Sequence, residues 1–199
     1  MIIFKNIENS KPYKTFKKLY DKAYRSSQEN IEAVSIASYN PVKKEVSSRY
    51  VNIKYIINNR WIFFSNYNSP KANDFYNHPQ SSMLIFWPSI NYQIRLNGKI
   101  NKSSEKFSDE HFAERNMEKN ILAIISNQSK TIDNYDLVKK KFLEFDINKK
   151  NIRRPSYWGG FEFQPTSFEF WEGKKYRLNR RSLYKKNDDG LWEESFLEP

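Results

Sequence analysis

Apolar and polar positions alternate along this chain in two different periods. From Ser10, "SKPYKTFKKLYDKAYRS" sets Phe16, Leu19, Tyr20 and Ala23 at helical spacing behind a capping serine and Pro12, which predicts an amphipathic helix within an N-terminal segment of residues 1–27. The period then shortens to two. "AVSIASYN", a polar turn over Pro41 to Glu45, and "SSRYVNIKYII" form a hairpin, and "RWIFFSN" adds a third strand. A short helix is expected over "SPKANDFYNHP" with Ser69 as its cap, followed by strands at "SSMLIFWPS" and "YQIRLNGKINKS". Residues 104–147 read as an insertion of two or three helices, and the chain returns to strand at "GGFEFQPTSFEFWEG", "SLYKK" and "LWEES".

Strands, then helices, then strands again predict a single α+β domain over residues 1–199, because strictly alternating βα units are missing. Six or seven strands with short turns point to an antiparallel, closed or partly closed barrel with peripheral helices. "NKKNIRRPSY" is the expected loop from the helices back to the barrel.

Composition narrows the chemistry. With no cysteine and only His78 and His111, disulfides, thiolate metal sites, cysteine nucleophiles and histidine-rich metal centres are excluded, and no metal is expected. Five glycines, at 98, 159, 160, 173 and 190, make no Gly-rich phosphate loop, and "WGGF" predicts a tight turn or a close backbone approach. Asp109 and Glu110 are adjacent and diverge on a helix, so they are no acid/base pair. His111 alone reads as a packed or solvated histidine more readily than as a general base. The N-terminus is apolar for four residues, too few for a signal peptide, and no run is long enough to cross a bilayer, so a soluble, cytoplasmic protein is expected.

The formal net charge of +11 asks for an anionic partner: nucleic acid, an acidic membrane surface or a phosphorylated small molecule. "WGGFEFQPTSFEFWEGKKYRLNRR" then sets aromatics beside cations in one stretch. That combination suits a flat, anionic ligand.

Several segments, in order, resemble the pyridoxamine 5'-phosphate oxidase family of FMN-binding split barrels. They are "SRYVNIK", "FFSNYNSPK", "IFWPSINYQIRLNG", "HFAERN", "ISNQSKTI", "PSYWGGFEF", "FEFWEGKKYRLNRRSLY" and the terminal "LWEESFLEP", spanning about Lys11 to Pro199. The resemblance implies a flavin-dependent oxidoreductase, a homodimer with FMN in clefts between the subunits. It places Arg49, Lys54, Ser65, Lys71, Gln93, Gln128, Ser129, Trp171 and Arg181 at the flavin. Strand alternation puts positions 49 and 54 on opposite faces, so both reach one ligand only through a bulge or around a strand edge.

The same resemblance assigns Lys54, His111, Arg115, Lys119, Arg177 and Asn179 to the substrate, with Arg177 and Asn179 as the catalytic pair. Spacing of four would put His111, Arg115 and Lys119 on one helical face. Three departures stand out. Pro70 replaces a phosphate-binding arginine, His111 and Lys119 stand where the family carries Tyr and Ser, and Asn179 replaces the active-site histidine. An amide orients a hydroxyl or amine but takes up no proton near neutral pH. The resemblance therefore implies oxidation of pyridoxine or pyridoxamine 5'-phosphate to pyridoxal 5'-phosphate with dioxygen as acceptor. The alternative is a divergent flavoprotein of the same fold with another planar substrate, for example of phenazine type. A nucleic-acid-binding domain with stacking platforms explains the charge and the aromatics but not the ordered motifs.

Overall fold

The computed structural model describes residues 1–145 and 152–199. In chain order these form β1 (Ile3–Lys5), α1 (Lys11–Arg25), β2 (Ala33–Asn40), β3 (Glu45–Asn52), β4 (Tyr55–Ile57), β5 (Arg60–Asn66), α2 (Pro70–Asn77), β6 (Gln80–Trp87) and β7 (Tyr92–Lys102). Helices α3 (Glu105–Glu114), α4 (Met117–Ile125) and α5 (Asp136–Leu143) follow, then β8 (Trp158–Glu172), β9 (Arg180–Lys186) and β10 (Trp192–Leu197). One mostly antiparallel sheet runs β1-β4-β5-β8-β7-β6-β2-β3, with β9 on β8 and β10 on β9. The expected fold class holds. Ten strands stand among the described residues in place of six or seven: the eight strand-like segments of the sequence all form, and two more arise. Short β1 exists only by parallel pairing with β4, and the expected long strand 47–57 breaks into β3 and β4.

The long strand β8 organises this sheet. Its first half pairs β5, its second half pairs β9, and β7 runs along its other edge. The register of β7 on β8 shifts between Asn97 and Gly98, where Pro165 sits opposite Gly98. A bulge tolerates the missing proline N–H and bends the strand, which divides the sheet into two halves. Gly98 is required there, since a Cβ would lie 2.3 Å from the carbonyl oxygen of Gln164.

The helical period at the N-terminus buries the residues it predicted: Phe16, Leu19, Tyr20 and Ala23, together with Tyr13. Phe16 meets Trp61 at 4.4 Å and Trp87 at 5.7 Å between ring centroids, and Tyr13 meets Phe168 at 5.1 Å, so α1 seals the inward faces of β5, β6 and β8. Ser10 and Ser69 occupy the expected N-cap positions, yet neither side chain caps its helix. Ser10 Oγ is buried without a partner, whereas Ser69 Oγ accepts from Lys71 Nζ at 3.3 Å.

Helix α3 lies against the outward face of the other half. Close approach explains the "WGGF" glycines: a Cβ on Gly160 would fall 2.6 Å from Ser103 Oγ, and Gly160 N donates to Ser108 Oγ of α3 at 3.1 Å. Of the expected "NKKNIRRPSY" loop, residues 148–151 lie outside the described residues, and residues 152–157 carry neither helix nor strand. The last two residues of the expected insertion, 146 and 147, also lie outside them.

Candidate functional site

Two cations are held together at the start of α2. Arg49 pairs across the hairpin with buried Ile36 and therefore points to the inward side of β3. Its Nη1 donates to Ser38 Oγ at 2.9 Å; Ser38 Oγ donates to Asp74 Oδ2 at 2.7 Å, and Asn40 Nδ2 to Asp74 Oδ1 at 2.8 Å. A buried carboxylate, satisfied by neutral donors, thus braces the guanidinium. Burial lowers the affinity of Arg49 for its proton, and Asp74 opposes that. Lys71, in the first turn of α2, is lowered by burial and then by repulsion from Arg49. That turn carries no acidic residue, so its amides add to the positive end. Gln128 and Ser129 line a cleft with Ser69, Pro70 and Asn73 beside this turn. Ser65 is buried near the end of β5, the strand that leads into α2. Ser38 and Asp74 were not anticipated, and their part is set by contacts between elements rather than by any motif.

A second cationic group gathers on the other half. The ring of His111 stacks on Phe64 at 3.7 Å and 11°, and Trp158, beside Phe64, is parallel to the imidazole at 6.2 Å. Tyr55 Oη lies 2.9 Å from His111 Nδ1, and the Arg115 guanidinium covers Trp158 at 4.8 Å. Burial, then Arg115 and Lys54, hold the His111 imidazole down to about 4. Lys54 follows β3, where Ile53 N bonds Glu32 O and Lys54 N bonds Ile62 O. The chain leaves one strand pairing for another there, so alternation no longer separates positions 49 and 54 by face. Lys54 Nζ also lies 3.7 Å from Glu32 Oε1.

The expectation that His111, Arg115 and Lys119 share one helical face is corrected. Helix α3 ends at Glu114 with Arg115 as its C-cap, and α4 begins after Asn116, whose side chain accepts from Glu118 N at 3.1 Å. Asn120 Nδ2 locks the break by donating to Phe112 O at 2.8 Å. Lys119 is therefore exposed on α4, while its carbonyl accepts from Arg115 Nη1 at 2.8 Å.

The remaining candidates lie at the far end of β8. Phe86, Gln93, Trp171, Arg181 and Leu197 form one cross-strand row over β6, β7, β8, β9 and β10. Gln93 Oε1 accepts from Arg95 Nε at 2.7 Å, and Arg181 Nε donates to Glu169 Oε1 at 2.9 Å. Phe86 is 53% exposed in this row. Arg177 and Asn179 sit in the turn between β8 and β9, where Tyr176 and Arg177 take φ of 57° and 60°. Asn179 Oδ1 accepts from Lys174 N at 3.0 Å, which leaves its amide NH2 as a donor.

Within one chain these groups stay apart. Arg49 shares an inward row with Ile36, Met83, Leu96 and Phe168. Trp171 is three residues beyond Phe168 on β8, so it faces the opposite side of the sheet. Trp158, beside His111, and Trp171 stand at opposite ends of β8, roughly 40 Å apart along the strand at its usual rise.

Residues 20–149 match the family described as pyridoxamine 5'-phosphate oxidase, and residues 158–199 match the pyridoxine 5'-phosphate oxidase C-terminal dimerisation region. The chain is 33% identical over 193 residues to a pyridoxine/pyridoxamine 5'-phosphate oxidase of Trichormus variabilis, covering 96% of this chain and 90% of that one. It is 36% identical over 156 residues to one from Pelagibacter ubique, covering 77% of this chain and 75% of that one. Among solved structures, PhzG from Burkholderia lata, in complex with tetrahydrophenazine-1-carboxylic acid, superposes with a TM-score of 0.89 at 22% identity, covering 96% and 93% of the two chains. A pyridoxamine 5'-phosphate oxidase-related, FMN-binding protein from Nostoc punctiforme follows at 0.79 and 15%, covering 96% and 99%.

Proposed function

This chain belongs to the pyridoxamine 5'-phosphate oxidase family, and from that premise we propose that it is an FMN-dependent oxidase. Its proposed reaction takes pyridoxine or pyridoxamine 5'-phosphate to pyridoxal 5'-phosphate, with dioxygen reduced to hydrogen peroxide and, for the amine, water taken up and ammonia released. The observation that carries the reading is the Arg49–Lys71 pair. Two cations desolvated against each other, at a helix N-terminus without an acid, suit a phosphate dianion. The donor set thus fits the phosphate end of FMN, although Pro70 supplies no charge there.

FMN, when bound, supplies the two-electron chemistry, as acceptor of the substrate's hydride and donor to dioxygen. The chain supplies binding and orientation. Arg49, Ser65, Lys71 and the first amides of α2 hold the flavin phosphate, with Gln128 and Ser129 at the cleft beside them. A second copy of the chain brings Gln93 to the edge of the ring system, with Trp171 and Arg181 beside it. Lys54, His111 and Arg115 hold the vitamer phosphate, with Lys119 at the rim. Arg177, again from the second copy, covers the substrate ring, and the Asn179 NH2 orients the reacting hydroxyl or amine without accepting its proton.

The test is anaerobic. Pyridoxine 5'-phosphate added to the FMN-loaded protein is expected to bleach the flavin's visible absorbance, which returns on admitting air. An unchanged band defeats the vitamer reading and leaves the alternative that Asn179 favours, another planar anionic substrate such as a reduced phenazine carboxylate. That compound is then titrated in the same way.

A further inference from the structure

His111 has its ring plane fixed on every side. Phe64 lies flat against it, Tyr55 meets it edge-on at 84°, and Trp158 lies beside Phe64 with its ring parallel to the imidazole within 9°. Its Nδ1 has one partner, the hydroxyl of Tyr55 at 2.9 Å. Among the described residues, Nε2 makes no hydrogen bond, and it is not among the polar atoms sealed from solvent without a partner. A neutral imidazole carries one N–H, and the hydrogen bond at one nitrogen decides which nitrogen bears it.

Tyr55 decides the question. Its residue is 6% exposed, and the hydroxyl has no acceptor among the described residues other than His111 Nδ1. A buried O–H left without an acceptor costs more than the bond it would make, so Tyr55 donates. The surroundings keep both groups in the required state. Burial, then Glu114, raise Tyr55 and hold its proton; burial, Arg115 and Lys54 keep His111 neutral at pH 7. The other charged group at the pair is Lys5 of β1, over the Tyr55 ring at 5.8 Å.

We infer that Tyr55 is a positioning residue: by donating to His111 Nδ1 it fixes the neutral imidazole as the Nε2–H tautomer, and that N–H is the donor offered to an oxyanion held by Arg115 and Lys54. The inference rests on the proposed function only in naming that oxyanion as the phosphate of the substrate. The cradle then consists of two fixed cations and one neutral donor, not three cations. His111 recognises by hydrogen bonding and leaves charge balance to Arg115 and Lys54.

The experiment reads the tautomer directly. The full chain, with 15N-labelled imidazoles, is observed by long-range 1H–15N correlation at pH 7, with His78 as internal control because it is the one other histidine. The expected wild-type pattern is a protonated Nε2 and a lone-pair Nδ1 on His111. In Tyr55→Phe, which keeps the ring and removes the hydroxyl, the two tautomers mix. Inorganic phosphate then binds about twofold more weakly, because only the fraction of chains carrying Nε2–H is competent to donate, while FMN loading is unchanged. A wild-type Nδ1–H, an imidazolium at pH 7, or a Tyr55→Phe spectrum like wild type would overturn the inference. The wild-type spectrum needs no variant to fold. A chain that shows the tautomer but fails to reduce its flavin with pyridoxine 5'-phosphate keeps the inference and loses the substrate; the reverse result loses only the inference.

Discussion

Replacing Lys71 by Met is expected to separate cofactor binding from stability, because the ammonium is proposed to serve the first and burial disfavours it in the second. In the chain without ligand, Lys71 is half-buried beside Arg49, and both burial and that neighbour disfavour its charge. Met keeps the length and the packing of the stem and removes the repulsion. The apoprotein is therefore expected to melt at the same temperature as wild type or higher. Binding of FMN moves the other way. One charge-assisted bond to phosphate is worth about 1.5–3 kcal/mol, so the Kd for FMN should rise roughly 10- to 150-fold. Quenching of free FMN fluorescence on titration gives the Kd, and calorimetry of the apoprotein gives the melting temperature. Saturating FMN should stabilise the variant much less than wild type at the same concentration. An unchanged Kd, or a fall in apo stability alongside it, would refute the claim that Lys71 is held in readiness for an anion.

Three further outcomes follow from the same geometry. His111 is held down to about 4 from 6.5, so as pH falls the unfolded chain takes up this proton first. Its contribution to stability is intact above pH 6.5 and lost progressively toward pH 4; the loss is on the order of 3 kcal/mol at most, less where solvent reaches the ring, and the acid-side decline in melting temperature should be shallower in His111→Phe. Gly98→Ala would set a Cβ 2.3 Å from the Gln164 carbonyl oxygen, and urea unfolding should show a loss of about 2–3 kcal/mol, whereas an unchanged midpoint would mean the bulge yields freely. Phe86→Asp places a charge in the cross-strand row with Gln93 and Trp171, so sedimentation should show monomers and FMN titration no binding; a dimer that still binds FMN would remove that row from the interface.

Local patterns were legible in the sequence where a single element decided them. The bounds of "AVSIASYN" and "RWIFFSN" coincide with β2 and β5, and the apolar positions of α1 are the buried ones. The break between β3 and β4 was not legible, because Ile53 and Lys54 continue a strand-like pattern. They leave it only because Glu32 and Ile62 supply their hydrogen-bond partners. The break between α3 and α4 could have been read: Asn116 followed by Met117 and Glu118 is a capping signal, and the spacing of four overrode it. Tyr55 and His111 lie 56 positions apart, and neither carries a local mark of the other. The family resemblance placed Trp171 and Arg181 at the same flavin as Arg49 and Lys71. Only the strand registers reveal that Arg49 faces one side of the sheet and Trp171 and Arg181 the other.

The proposed function makes the second chain part of the site because of that opposition, and mixing two defective chains tests the proposal most directly. One chain carries Arg49→Ala with Lys71→Met, the other Trp171→Ala with Arg181→Ala, and each alone should fail to retain FMN. Refolded together in equal amounts, half the dimers are mixed, and each mixed dimer has one site built from the intact half of either chain. Flavin retained after gel filtration should then reach about one quarter of the wild-type content, counting one intact site in every four. No recovery in a mixture shown to contain the mixed dimer would mean that each flavin is held by a single chain, and the account would be wrong.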